Sequence, residues 1–204
     1  MREKTNRVGI FGGTFHPIHY GHLMIAENAC EQFELEKVVF MPTGHTPHKV
    51  YAGKEMDRHR CRMVELAIKD NPSFEISRRE VDSLSVNYTF QTLGQLNEEF
   101  PKTRFYFILG ADSLFDFELW KHPELICREA VILAAVRDDF DEKRVDSQIC
   151  FLTERFGGEI YRLDTPNFKV SSEEIRDRVK NGHTIRYLVP DAVAAYIREY
   201  QLFG

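Results

Sequence analysis

Hydrophobic and polar positions along this chain alternate between two periods. Short apolar runs of strand length recur at Arg7 to Phe11 (Val8, Ile10 and Phe11 apolar), Lys37 to Met41, Phe74 to Ser77, Arg104 to Leu109, Ala130 to Val136 and Glu159 to Leu163. Between them the apolar residues recur at helical spacing. Tyr20 to Phe33 puts Leu23, Ala26, Cys30 and Phe33 on one face, and Asp57 to Lys69 turns Met63, Leu66 and Ala67 inward. Thr89 to Phe100, with Thr89 as its predicted cap, does the same with Leu93 and Leu96. Further helices are predicted over Glu142 to Phe156, Ser172 to Lys180 and Asp191 to about Tyr200. Strands alternating with helices, several strands apolar throughout, predict an α/β fold: a doubly wound parallel sheet covered on both faces, with helices at the C-terminal end.

Open parallel sheets collect ligands beyond the carboxyl ends of their strands, where the strand order reverses. Gly12-Gly13, the turn-rich loop from Pro42 to Lys49, Gly110-Ala111-Asp112 and Arg137 each follow a predicted strand, which predicts one shared cleft.

Composition narrows the class. A chain of 204 residues with 43% hydrophobic and 29% charged residues is read as one domain spanning residues 1–204. The net charge of −5 speaks against a general nucleic-acid binder while leaving room for a local basic nucleotide pocket. No apolar run reaches the roughly 18 residues that a membrane helix needs, and Met1-Arg2-Glu3-Lys4 leads into a strand rather than a signal core. A cytoplasmic protein with no membrane partner is expected. Cys30, Cys61, Cys127 and Cys150 are scattered, which predicts buried reduced thiols rather than a metal site or disulfides.

The chemistry concentrates in Gly12-Gly13-Thr14-Phe15-His16-Pro17-Ile18-His19-Tyr20-Gly21-His22. Paired glycines let a ligand approach the backbone, and the helix start that follows offers unpaired N–H groups to a phosphate. His19 and His22, at i and i+3, fall on neighbouring helical sites and can face the same group. A glycine pair by itself most often marks a tight turn. The stretch is not G-x-G-x-x-G, no Walker lysine follows, and no H-E-x-x-H pattern supports a metal. A second cluster, Ser171-Ser172-Glu173-Glu174-Ile175-Arg176, reads as a capping box between Ser171 and Glu174 or as a phosphate seat built from Ser172 and Arg176.

The glycine–histidine stretch resembles the H-x-G-H signature of the nucleotidyltransferase superfamily, and its wider form is similar to bacterial nicotinate-mononucleotide adenylyltransferases. Ser171 to Arg176 is similar to that family's late Ser-Ser-Thr-x-Ile-Arg motif. Pro47-His48-Lys49, Tyr88 to Leu93, Phe107 to Leu114 with Trp120-Lys121, and Tyr187-Leu188-Val189-Pro190 extend the resemblance over most of the chain. His16 and Glu173 depart from it, standing where the family usually carries Asp and Thr.

The resemblance implies a Rossmann-like nucleotidyltransferase domain that joins ATP to nicotinate mononucleotide. It implies His19, His22 and Arg176 as catalytic residues, with Gly12, Gly13, Thr14, Phe15 and Ser172 completing the ATP site. It assigns Lys49, Tyr88, Thr89, Gly110, Asp112 and Trp120 to the mononucleotide, and brings Mg2+ in with ATP. Both partners are then small molecules, and a homo-oligomer stays open. Two rivals are a transferase of the same superfamily with another acceptor, such as phosphopantetheine or glycerol phosphate, and a catalytically silent nucleotide-binding regulator.

Overall fold

The structure, a computed structural model, describes residues 6–45, 53–83, 85–136, 142–166 and 168–204. Its first strand, β1 (Asn6–Gly13), lies inside the sheet and pairs in parallel with β2 (Lys37–Pro42) on one side. β3 (Phe74–Ile76) extends the sheet beyond β2. The chain then returns to the other side of β1 as β4 (Thr103–Gly110), followed outward by β5 (Val131–Val136) and β6 (Ile160–Asp164). The order is β3-β2-β1-β4-β5-β6, all parallel, so the winding reverses between β1 and β4.

The continuous apolar runs are explained by burial on both faces. Along β4, Tyr106 and Ile108 enter one core while Phe105, Phe107 and Leu109 enter the other, and β5 splits Leu133 from Ile132 and Ala134 in the same way. The first core is covered by α1 (Tyr20–Phe33), α2 (Lys54–Ile68), α8 (Ser172–Lys180) and α9 (Asp191–Glu199), through Ala26, Val64, Ile175 and Ile197. The second is covered by α4 (Thr89–Glu99), α5 (Ala111–Phe115), α6 (Pro123–Glu129) and α7 (Glu142–Phe156), through Leu93, Leu114, Ile126 and Leu152. A four-residue helix, α3 (Arg79–Asp82), links β3 to α4.

Three sequence expectations are corrected. Gly12 and Gly13 do not form the turn: they are the last residues of β1, paired with Met41 and Pro42, because β2 runs on alongside them. The turn falls instead at 14–18, where Phe15 takes φ 48°. Thr89 is not the cap of α4; Tyr88, in extended backbone, holds that position and Thr89 is the first helical residue. Cys61 and Cys127 are buried thiols, whereas Cys30 is half-buried and Cys150 is exposed on α7. α3, α5 and α6 escaped the periodic pattern, since four, five and seven residues are too few to show a repeat.

Candidate nucleotide-binding site

β1 and β4 pair as far as Phe11 and Ile108 and then run on to end at Gly13 and Gly110, where the strand order reverses. Two glycines, Gly13 at the end of β1 and Gly21 in the first turn of α1, each leave room for a ring. A Cβ on Gly13 would come within 2.8 Å of the Phe15 ring, and one on Gly21 within 3.1 Å of His19. Phe15 is 1% exposed, its ring packed into the first core. It forms the floor for His22, whose ring meets Phe15 edge-on at 5.0 Å and Phe11 at 6.0 Å.

His19 is the N-cap of α1, and its ring stacks on His22 with centroids 3.6 Å apart. The backbone N–H of His19 donates to Nδ1 of His22 at 3.2 Å. That acceptor role leaves the proton of the neutral His22 ring on Nε2, as a donor. The two histidines therefore converge as the i, i+3 spacing predicts, with one at the cap and the other in the first turn.

The late motif clasps this turn from the side. Ser171 caps α8 by accepting from the Glu174 N–H at 3.1 Å, which is one of the two bonds of the capping box. Ser172 donates its hydroxyl to the Pro17 carbonyl at 2.8 Å, and Arg176 donates to the His16 carbonyl at 2.8 Å. Both side chains assigned to phosphate by the resemblance thus also hold the histidine-bearing turn, and the rest of the Arg176 fork carries its charge beside it. Leu188, from the segment before α9, accepts the Tyr20 N–H at 3.0 Å. Glu173 is exposed.

One residue here went unnoticed in the sequence. Arg60, on the inner face of α2, is 4% exposed and pairs with the buried Asp57. It donates to the Thr14 carbonyl at 2.6 Å and the Thr43 carbonyl at 2.7 Å, tying together the loops after β1 and β2. A signal was present: Asp57 and Arg60 lie at i, i+3 on the same side as Met63 and Val64. His16, which the sequence marked only as a departure from the family pattern, has its Nε2 buried without a hydrogen-bond partner. Burial, and then the Arg176 and Arg60 guanidiniums, push its imidazole down to about 4. Its ring packs edge-on against Phe203 at 4.9 Å.

A second group assembles at the start of α4. Tyr88, next to Thr89, meets the segment after α5 through Lys121, whose ammonium lies 4.3 Å from the centre of the Tyr88 ring. Trp120 is half-buried and leans on Phe117 at 5.5 Å and Phe107 at 6.2 Å, so part of its indole serves the second core. Gly110 is the N-cap of α5, and Asp112 is exposed in its first turn. The two groups are linked through the loop after β2: Thr43 shares Arg60 with Thr14, and the His45 carbonyl accepts the N–H of Asn87, next to Tyr88. Lys49 and Arg137 lie outside the described residues.

Comparison with known proteins decides the family. The cytidylyltransferase-like family model matches residues 10–178. A protein of Lachnoclostridium phytofermentans described as a probable nicotinate-nucleotide adenylyltransferase is 44% identical over 97% of this chain and 98% of its own. The chain belongs to the nicotinate-nucleotide adenylyltransferase family. A second such relative, from a Thermoanaerobacter species, is 39% identical over 98% of this chain and 96% of its own length. Among solved structures, the Plasmodium falciparum nicotinic acid mononucleotide adenylyltransferase complexed with NaAD superposes with a TM-score of 0.78 over 97% of both chains at 21% identity, a likeness of fold.

Proposed function

We propose that this protein transfers the adenylyl group of ATP to nicotinate mononucleotide, releasing pyrophosphate and nicotinate adenine dinucleotide, a step of NAD synthesis. The observation that carries the reading is the stacked His19–His22 pair at the strand-order reversal of a chain whose near relatives bear this activity in their names.

The mononucleotide phosphate is the nucleophile. Its second pKa of roughly 6 leaves it mostly dianionic at neutral pH, so no general base is needed. A phosphate oxygen bonds to the α-phosphorus of ATP while the bond from that phosphorus to the α,β-bridging oxygen breaks, and pyrophosphate leaves with the electron pair. What remains is to bring anions together and to stabilise charge as it builds, by positioning and by oriented donors.

His22 supplies Nε2–H to the α-phosphate, with its Nδ1 fixed by the His19 backbone, and His19 keeps the ring in place. Gly12, Gly13 and Thr14 form the backbone edge along which ATP lies. Ser172 and Arg176 serve the pyrophosphate end, and the Phe15 side chain contributes only as floor. Tyr88, Thr89, Gly110, Asp112, Trp120 and Lys49 serve the mononucleotide. Magnesium arrives as part of the MgATP substrate, bound by its phosphates; among the described residues no three His, Cys, Asp or Glu side chains group so as to hold a metal.

Both substrates are soluble nucleotides, which fits the cytoplasm. Among the described residues no helix is long and apolar enough to cross a membrane. Pyrophosphate release from ATP tests the reading, measured with nicotinate mononucleotide, nicotinamide mononucleotide, phosphopantetheine and glycerol phosphate as acceptors. Release with nicotinate mononucleotide foremost is expected. Preference for either of the last two would place the chain with another branch of the superfamily, and no release with any would make it a binding protein.

A further inference from the structure

The second group of site residues rests on a carboxylate that takes no part in the chemistry above. Glu80, in α3, is 9% exposed. Its Oε1 accepts the hydroxyl of Thr92 at 2.9 Å, and its carboxylate also accepts a backbone hydrogen bond from Gly44. Its main-chain carbonyl accepts the Asn87 side-chain amide at 3.0 Å, while the Asn87 N–H donates to the His45 carbonyl at 2.9 Å. A Cβ on Gly44 would fall 2.0 Å from the Glu80 carbonyl oxygen, so the loop after β2 lies directly on α3.

These contacts join two separate parts of the chain. Thr92 is one turn along α4 from Thr89, and Asn87 immediately precedes Tyr88, the α4 cap over which Lys121 lies. Gly44 and His45 belong to the loop after β2. Burying a carboxylate is costly, and burial indeed pushes the Glu80 carboxyl up against the pull of its Thr92 and Gly44 donors. An apolar side chain would hold α3 in place without that cost. It would offer nothing to the Gly44 N–H and the Thr92 hydroxyl together.

We propose that Glu80 is a positioning residue for the mononucleotide, fixing the loop after β2 and the start of α4 in one mutual arrangement. The inference rests on the adenylyl-transfer reading. The subsite at Tyr88 and Thr89 loses fit when the start of α4 shifts, and a displacement of about 1 Å costs on the order of 10²-fold in the extreme. The ATP seat across β1, α1 and α8 meets the loop after β2 through Arg60, which is held by the Thr14 and Thr43 carbonyls and by Asp57 rather than by Glu80. Loss of Glu80 therefore acts on one substrate.

The test is steady-state kinetics of the full-length protein with each substrate varied in turn, for wild type, Glu80→Ala, Glu80→Gln and Thr92→Val. Gln keeps an oxygen for Gly44 and can donate its amide to the Thr92 oxygen. Expected are a rise of about tenfold in KM for nicotinate mononucleotide in Glu80→Ala, a KM for ATP within about twofold, and a near-wild-type KM in Glu80→Gln. Thr92→Val, which keeps the backbone and volume, should raise the same KM about threefold and stands in if Glu80→Ala does not fold. Parallel rises in both KM values, or an unchanged mononucleotide KM in the Ala and Val variants, would overturn the inference while leaving adenylyl transfer intact. Failure of the wild type to use nicotinate mononucleotide would instead remove the underlying reading, and this inference with it.

Discussion

The imidazoles of His19 and His22 lie face to face, 3.6 Å apart and 24° from parallel, with the His19 N–H on Nδ1 of His22. This arrangement presets the tautomer of His22 before any ligand arrives, and a donor fixed in advance needs no reorganisation as charge develops. His22→Ala should lower kcat by roughly 10²-fold or more while the fold survives, since the ring is only half-buried at the edge of the first core. The check is kcat alongside the thermal midpoint. A wild-type kcat would remove His22 from the chemistry.

The glycine between the histidines has a calculable role. A Cβ at residue 21 would stand 3.0 Å from Val170 and 3.1 Å from the His19 ring, closer than these neighbours tolerate without moving. Gly21→Ala should tilt His19 off its stack and lower kcat severalfold with little change in secondary structure. Matching kinetics in wild type and variant would show that the stack is dispensable.

Much of this fold was legible because the strands announce themselves: a run such as Phe105 to Leu109, apolar at every position, has few solutions other than a sheet buried on both faces. α1, α7 and α8 begin and end where their periodic residues do. The boundary of β1 was not legible, because whether Gly12-Gly13 turn or pair depends on β2 being alongside, which no local pattern reports. The histidine pair could be read from its spacing. Arg60 could be read as an inward charge beside Asp57 but not as a tether, since its other partners are the main-chain carbonyls of Thr14 and Thr43, and carbonyls leave no mark in a sequence. The place of the Phe15 ring was not legible either, since its packing beneath His22 depends on Phe11 and Phe40 closing around it.

Arg60 and Asp57 form a pair whose side chains are 5% and 4% exposed. Removing one partner of such a pair leaves an uncompensated buried charge, at about 3–5 kcal/mol. Arg60→Met should destabilise the protein by about that amount in chemical denaturation and also raise KM for ATP, as Thr14 loses its tether. A loss below about 1 kcal/mol would mean that Asp57 finds adequate partners without the guanidinium.

His16 predicts a pH dependence of stability. Its imidazole titrates at about 4 when folded, because of burial and then the Arg176 and Arg60 charges, and near 6.5 when free. Between those values the unfolded chain binds the proton and the folded chain does not. The contribution is therefore fully present above about pH 6.5 and is lost progressively as pH falls toward 4. His16→Gln, which cannot take up that proton, should lose less stability than wild type between about pH 7 and pH 5. Denaturation midpoints at the two pH values decide it, and equal losses in both proteins would show that His16 is not the group responsible.

Substrate choice turns on one charge. Nicotinate mononucleotide carries a ring carboxylate where nicotinamide mononucleotide carries a neutral amide. The first N–H groups of α4, at Thr89 and Phe90, have no partner within the helix, and the Lys121 ammonium lies over the adjacent Tyr88 ring. Charge-assisted hydrogen bonds from such donors to a carboxylate are roughly twice as strong as neutral ones. An amide placed there can point its NH2 at a donor, leaving groups unpaired at about 1–3 kcal/mol each. We therefore expect kcat/KM for the acid to exceed that for the amide by at least about two orders of magnitude. Trp120→Ala should lower use of both mononucleotides, because stacking on the ring is indifferent to its substituent. Lys121→Gln should instead narrow the ratio between them, chiefly by impairing the acid. Three enzyme preparations and two mononucleotides at saturating ATP suffice for the comparison, and equal efficiencies for acid and amide in the wild type would remove carboxylate recognition even with adenylyl transfer demonstrated.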